Sequence, residues 1–376
     1  MIFHIKQFDE TLLSFNYIDN GIKGQFCDII NINESKKYLL PIGLEYTGDG
    51  VLSWLKRRVI PKNREFVDAL LAKMGLSHSN TIEIIKLCKG LSVIDCYWVV
   101  EENFNGKFAD YNLFDNKFEK TLALIAYTGY GSVRAKGFTS SPEFTTNGML
   151  KKAWRVMNGN TLLYKGGTSG AANTGKEPYS EFYATQVAKA MQINHIPYNL
   201  SKWKGSLCST CELFTDKKTS YVQIYNFVQN KSIYEVSEFL KELGDEFYED
   251  FVDMIIFDCV ICGEDRHYGN FGLLVDNETN KPISLAPVFD NGLSLFNFAM
   301  KDDFKNLDEY AKTRMSYYNI SFLEMAKEFI GKRQKEKLKH LINFKFTAHS
   351  SYNLPKERLT TTQEFIQKRV LELLNI

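Results

Sequence analysis

Charge of one sign is missing from this sequence. Lys and Arg number 46 against 45 Asp and Glu in 376 residues, for a formal net charge of +1. That balance excludes a generally basic nucleic-acid coat and an acidic tail protein, while leaving room for a local patch. Long apolar runs are missing as well. The most apolar stretch, Phe251 to Cys262, is interrupted by Asp253 and Asp258, and it is shorter than the roughly 20 apolar residues of a membrane span. The first residues lack the charged-then-apolar layout of a secretory signal, because Gln7, Asp9 and Glu10 interrupt them. No period of roughly 20–50 residues repeats and no segment is of low complexity, which argues against solenoids and arrays. Seven Cys is an odd count. Without a signal, reduced thiols and a cytoplasmic location are expected, although export without a cleaved leader would leave no mark.

What is present fits an ordinary globular protein, with 44% hydrophobic and 24% charged residues. An aromatic fraction of 14% excludes a disordered chain. The length suggests two or three units, and texture divides it into 1–130, 131–235 and 236–376. The first part mixes strand-like runs, such as Tyr97–Val100, with helical spacing over Val51–Leu71, broken at Pro61, and again over Thr81–Lys86. Glycines from Gly129 through Gly137 to Gly175 then punctuate short apolar runs, Trp154–Met157 and Thr161–Tyr164, which read as strands joined by tight turns. A helix over Ser180–Met191 interrupts the strands, which resume at Leu207–Phe214 and Tyr221–Val228. After Lys231 the pattern is helical, through Val236–Leu243, Phe247–Cys259, Phe322–Ile330, Lys335–Phe344 and Thr362–Leu374. The fold class expected is α+β, a β-rich part followed by a helical part.

The segment richest in chemistry is Gly263-Glu264-Asp265-Arg266-His267-Tyr268-Gly269-Asn270, followed by Pro287-Val288-Phe289-Asp290-Asn291-Gly292. Asp265 and Asn270 stand at the Asp-x-x-x-x-Asn spacing of phosphoryl-transfer loops. A carboxylate there can take or orient a hydroxyl proton. An amide oxygen can hold a metal without adding charge, and Asp290, beyond two short strands (271–275 and 283–287), could coordinate Mg²⁺. The bland reading is a polar turn that ends the preceding helix.

Gly-Glu-Asp265-Arg-His267-x-x-Asn270 with a later Asp290 resembles HipA-family serine/threonine kinases, including the CtkA-type members. It is also similar to phosphoinositide-3/4-kinase-like proteins. The resemblance extends over most of the chain. Ser141–Lys152 resembles the HipA-type phosphate loop, Leu162–Lys165 the strand with the ATP-contacting lysine, and Glu177–Tyr183 the helix whose Glu faces that lysine. Trp54–Arg64 is similar to part of a HipA N-terminal subdomain. The resemblance implies a protein-kinase-like two-lobed fold with that extra subdomain, and ATP and Mg²⁺ as cofactors. It makes Asp265 and Lys165 catalytic, and Asn270 and Asp290 metal ligands. Thr145, Thr146, Asn147, Gly148, Lys152, Glu181 and His267 would line the nucleotide site, with His267 and Arg266 mainly ordering the loop. It further implies a protein Ser/Thr acceptor, autophosphorylation near Thr145 and Thr146, and a HipB-like antitoxin as a candidate partner.

The triplet Asp290-Asn291-Gly292 departs from Asp-Phe-Gly, so no aromatic switch is implied, and no long activation loop follows it. Gly170–Lys176 almost spells a P-loop, but Glu177 stands where Ser or Thr would hold Mg²⁺. Cys208/Cys211 with Cys259/Cys262 has zinc-like spacing, yet apolar surroundings favour buried thiols. Two basic runs, Lys56-Arg57-Arg58 with Lys62 and Arg64, and Lys332-Arg333 with Lys335, Lys337 and Lys339, could touch nucleic acid or a partner, or be solvated helix faces. A lipid kinase and a pseudokinase with a binding role are the competing readings.

Overall fold

The computed structural model describes residues 1–21, 24–131, 141–229 and 231–376; Gly137 lies outside the described residues. The chain divides into two compact units.

The first unit comprises residues 1–164, 213–222 and 274–283. It opens with β1 (Ile2–Gln7), β2 (Glu10–Asp19) and β3 (Gln25–Ile32), then α1 (Gly48–Arg57), α2 (Val67–Lys73), α3 (Thr81–Cys88) and β4 (Tyr97–Glu101). Next come α4 (Phe108–Tyr111), α5 (Lys120–Thr128), β5 (Lys152–Met157) and β6 (Asn160–Gly166). β1 to β4 form an antiparallel sheet in the order β3-β2-β1-β4. Alternation in β1 buries Phe3, Ile5 and Gln7, and the Phe3 ring stacks 5.7 Å from its cross-strand partner Phe15. β4 is buried on both faces because Tyr97 and Val99 enter one apolar cluster while Trp98 and Val100 enter another. α1 starts where the Thr47 side chain accepts the Gly50 N–H at 3.0 Å, and it buries Val51, Leu52, Trp54 and Leu55. Gly48 is required at its start, since a Cβ there would lie 1.8 Å from the Cys27 carbonyl oxygen. β5 and β6 turn through Asn158 and Gly159, both at positive φ, as a two-residue hairpin demands.

Most of a small sheet, β9 (Thr219–Gln223), β10 (Gly272–Asp276) and β11 (Pro282–Leu285) in the order β11-β10-β9, also lies in this unit. Buried Asn277 joins these late segments to the first sheet. Its carbonyl accepts from Gln7 Nε2 at 3.0 Å and its Oδ1 from Ser220 Oγ at 2.5 Å.

The second unit comprises residues 165–212, 223–273 and 284–376. It contains α6 (Glu177–Ala190), the hairpin β7 (Asn199–Trp203) and β8 (Ser206–Glu212), and α7 (Ile233–Leu243) and α8 (Asp245–Ile261). It ends with α9 (Leu307–Lys312), α10 (Phe322–Phe329), α11 (Lys332–Lys339) and α12 (Lys356–Leu374). α8 is buried at every position from Phe251 to Ile261, the pattern of a core helix, and α7, α10, α11 and α12 surround it. Ser232 with Glu235 and Ser321 with Glu324 form capping boxes that start α7 and α10.

Some expectations shift. The strand expected at Tyr221–Val228 ends at Gln223 and gives way to a 3-10 turn over Ile224–Asn226, because buried Ile224 donates its N–H to the Phe271 carbonyl. The helix expected at Lys335–Phe344 is α11, starting at Lys332 where the Gln334 side chain caps the Gly331 N–H. In the two basic runs Lys56, Arg57, Lys62, Lys332 and Lys339 are exposed, while other members are tied into the fold. Arg58 is buried and bidentate on Asp95 at 2.7 and 2.9 Å, and it also donates to the Gly90 and Tyr97 carbonyls. Arg64 is buried too. Arg333 pairs with Glu246, Asp250 and Asp253 of α8, and Lys337 with Asp253. All seven cysteines are buried and none forms a disulfide. Among the described residues no helix is long and apolar enough to cross a membrane.

Removing Arg58 strands a buried carboxylate. Arg58→Met should lower stability by about 3–5 kcal/mol in urea unfolding, whereas exposed Arg57→Met should change it by less than about 0.5 kcal/mol.

Candidate functional site

The second unit's site is organised by one buried ion pair. Asp258, in the last turns of α8, receives Arg266 Nε at 2.8 Å and Nη2 at 3.0 Å. Both groups are nearly inaccessible. Burial pushes the Asp258 carboxyl up and pulls the Arg266 guanidinium down. The opposite charges answer each other, and Arg266 ends above its usual range. The remaining guanidinium hydrogens fix two loops at once. Nη1 donates to the carbonyls of Asn270 (3.1 Å) and Phe289 (2.6 Å), and Nη2 to Asn291 Oδ1 (2.7 Å). Tyr318 hydroxyl donates to the Arg266 carbonyl at 2.6 Å. The 265–270 loop is thereby locked to the 289–291 segment.

Lys165, at the end of β6, donates to Glu181 Oε1 of α6 at 2.8 Å and also to Asp290 Oδ1. Lys165 and Glu181 are 6% and 0% exposed, so this is an interior ion pair and not a surface one. Burial alone would pull the ammonium down, but Asp290 and Glu181 outweigh it and hold its pKa above the usual range. Glu181 Oε2 accepts the Asn291 N–H at 2.8 Å, so α6 grips the 289–291 segment directly. Asp290 has φ +54° and donates its N–H to the Tyr198 hydroxyl at 3.2 Å. The stretch before it is held by paired bonds, Ile196 N–H to the Val288 carbonyl and Val288 N–H to the Asn194 carbonyl, each 2.9 Å. Asn291, where an aromatic switch would stand in Asp-Phe-Gly, is a polar latch for Arg266.

Asn270 is nearly buried and donates through Nδ2 to the Asp265 carbonyl at 2.9 Å. This leaves its oxygen directed away from that bond. Burial pushes the Asp265 carboxyl up; His267 opposes this and Asp290 adds to it. His267 Nδ1 accepts the Gly269 N–H at 2.9 Å and its ring meets Tyr317 edge-on, so His267 shapes the loop. No cluster of three or more His, Cys, Asp or Glu able to hold a metal alone occurs among the described residues. The donors here are an amide oxygen and carboxylates, which suits a hard cation that keeps waters and takes its other ligands from phosphates. Asn270 and Asp290 are the residues that would hold Mg²⁺.

The expected phosphate loop lies in the first unit. Arg64 donates to the carbonyls of Gly148 (2.6 Å), Thr146 (2.6 Å) and Asn147 (3.3 Å), and Lys152 Nζ donates to the Asn147 carbonyl at 2.8 Å. In a trans peptide C=O and N–H point opposite ways. Anchoring these carbonyls therefore turns the N–H groups of Asn147, Gly148 and Met149 away from the two cations, as an anion cradle requires. Gly148 has φ +94°, and a Cβ there would sit 2.2 Å from Lys152 Nζ. Lys152 is 5% exposed and supports the loop from beneath. Thr145 donates its hydroxyl to the Leu91 carbonyl (2.7 Å) and Thr146 to the Pro142 carbonyl (2.6 Å). Sequence reasoning passed over three residues: Asp258, Tyr198 and Glu143. Asp258 had a visible signal, a carboxylate in an apolar run eight residues before Arg266.

These elements make up a mixed α+β fold. Over its whole length the chain is similar to the HipA structure from Shewanella oneidensis MR-1, solved as a complex of HipA, HipB and operator DNA. The identity is 12%, the match covers 100% of this chain and 99% of that one, and the TM-score is 0.52. It is also similar to a Helicobacter pylori proinflammatory kinase, CtkA, at 18% identity over 62% of this chain and 91% of that one, with a TM-score of 0.43. Identities this low speak to the fold alone. No family model matches the chain, and no curated protein matches its sequence.

Glu143 makes the loop sensitive to pH. It is 1% exposed, its Oε1 accepts the Trp154 N–H at 2.9 Å, and its Oε2 has no partner. Burial pushes its pKa up to about 7, against the bond from Trp154 and the charges of Arg64 and Lys152. An unfolded carboxyl titrates near about 4.3, so the folded state keeps a proton that the unfolded chain releases. That stabilising term is complete below about pH 4 and is lost as pH rises through 7. Glu143→Gln should therefore exceed wild type in stability by about 3 kcal/mol at pH 8, shrinking to about 1 kcal/mol at pH 5, in denaturant unfolding at the two pH values.

Proposed function

We propose that the protein is an ATP- and Mg²⁺-dependent kinase that transfers the γ-phosphate to a Ser or Thr hydroxyl of a protein. The observation that carries this is the convergence of Lys165, Glu181, Asn270 and Asp290 on the frame built by Arg266. Asp265 stands in the same loop, with its carboxyl pushed up by burial. In this reading Lys165 neutralises ATP phosphates and Glu181 keeps it in place. Asp265 takes the proton of the incoming hydroxyl as its oxygen bonds to phosphorus and the bond to the ADP oxygen breaks. Bound Mg²⁺ supplies charge neutralisation on the phosphates. Asp290, which would help to hold the metal, is also bonded to Lys165.

The division into an N-terminal subdomain (1–130), a nucleotide-binding part (131–235) and a helical part with the catalytic loops (236–376) belongs to the same proposal, as does a cytoplasmic location. So does a HipB-like antitoxin as partner, supported by the likeness to a HipA solved with HipB. Autophosphorylation at Thr145 or Thr146 would require the loop to open, because both hydroxyls are engaged with main-chain carbonyls.

Labelled-ATP transfer tests the reading. Asp265→Ala should lose about 10²–10⁴-fold in transfer to protein, and Lys165→Met a comparable amount, with melting temperatures showing both variants folded. Equal incorporation by wild type and Asp265→Ala would refute it. Label in vesicle lipid with none in protein would replace the protein acceptor by a lipid.

A further inference from the structure

We infer that the first two turns of α6 form one wall of a small-anion site, lying in the second unit behind the helix that carries Glu181. The cavity is lined by Lys176, which precedes α6, by Tyr179 and Ser180 of α6, by Asn297, and by Arg358 and Thr362 of α12, between apolar side chains. Its free space is about 10 Å³, about one water-sized sphere. Most polar groups on the wall are already engaged. Ser180 Oγ donates to the Ser294 carbonyl at 3.0 Å, and Thr362 Oγ1 to the Arg358 carbonyl at 2.8 Å. Arg358 Nη1 donates to the Ala299 carbonyl at 2.9 Å, and Nη2 to the Phe296 carbonyl at 2.5 Å.

Two donors are left over. Arg358 Nε and Asn297 Nδ2 are buried without a partner, and Asn297 is only 3% exposed. Lys176 adds a third donor. It lines the same cavity as Arg358, and burial and that charge lower its pKa. Two carboxylates stand nearby: Glu177 accepts from Thr168 at 2.6 Å and Asp303 from the Met300 N–H at 2.7 Å, and their charges also act on Lys176 and Arg358. No side chain caps the start of α6, where the helix dipole favours negative charge. Water would satisfy only part of this set, because it must also donate and the wall is rich in cationic donors. A monatomic anion of the chloride or bromide kind accepts from every side and fits the space. Phosphate and sulfate are too large.

The site also accounts for the Gly170–Lys176 stretch. That segment resembles a phosphate loop in sequence, and its lysine serves a smaller anion here. Anion binding does not depend on the kinase reading.

Thermal melts at fixed ionic strength, replacing sodium gluconate by chloride or bromide, read the site without any enzymatic activity. Wild type should show a saturable rise of about 2 °C in both halides, and Lys176→Met and Asn297→Leu should abolish it. Crystals grown in bromide should show an anomalous peak in contact with Asn297 and Arg358. Identical melting in gluconate and halide, halide responses unchanged in both variants, or no bromide peak in the cavity would overturn the proposal.

Discussion

The buried pair of Arg266 and Asp258 is the constraint on which the rest of the site depends. Taking two charges out of water is costly, and such a pair is often no more stable than apolar residues of the same volume. Its value lies in geometry. A guanidinium has five donors in a rigid plane, and Arg266 spends them on Asp258, on the carbonyls of Asn270 and Phe289, and on the Asn291 side chain. A helix end, a loop and the segment carrying Asp290 are thereby held by one side chain. Glu181 closes the arrangement from α6 by bonding both Lys165 and the Asn291 N–H.

The first unit repeats the device on its own loop. Arg64, also buried, anchors three consecutive carbonyls, and Lys152 anchors one of them again. In both units a buried cation is used to orient main chain. Part of each basic run is therefore used by the fold itself, while Lys56, Arg57, Lys62, Lys332 and Lys339 stay exposed. Arg58 and Arg64 are buried partners of a carboxylate and of carbonyls, and half-buried Arg333 and Lys337 pair with carboxylates of α8.

Much of this was legible in advance, and the boundary has physical causes. The Asp265 and Asn270 spacing is local, so a sequence reveals it. The strand ending at Lys165 and the helix carrying Glu181 follow from apolar periodicity and from Pro178 near the helix start. Partner choice over long separations is not local. Nothing near Arg64 in sequence indicates that it holds a loop more than eighty residues away, and Lys152 reads as a phosphate ligand until its bond to the Asn147 carbonyl is seen. Asp258 lies between these cases, since a carboxylate inside a buried helix must have a partner, yet the sequence does not say which.

Arg266 and Asp258 matter for geometry more than for stability, and one double replacement separates the two. Arg266→Met with Asp258→Leu exchanges the ion pair for apolar groups of similar size. On the proposed kinase reading, melting temperature and labelled-phosphate transfer should then part company, with melting within a few degrees of wild type and transfer lost because both loops are released. A folded double variant that still transfers phosphate as wild type does would show that the pair does not set the geometry of the site.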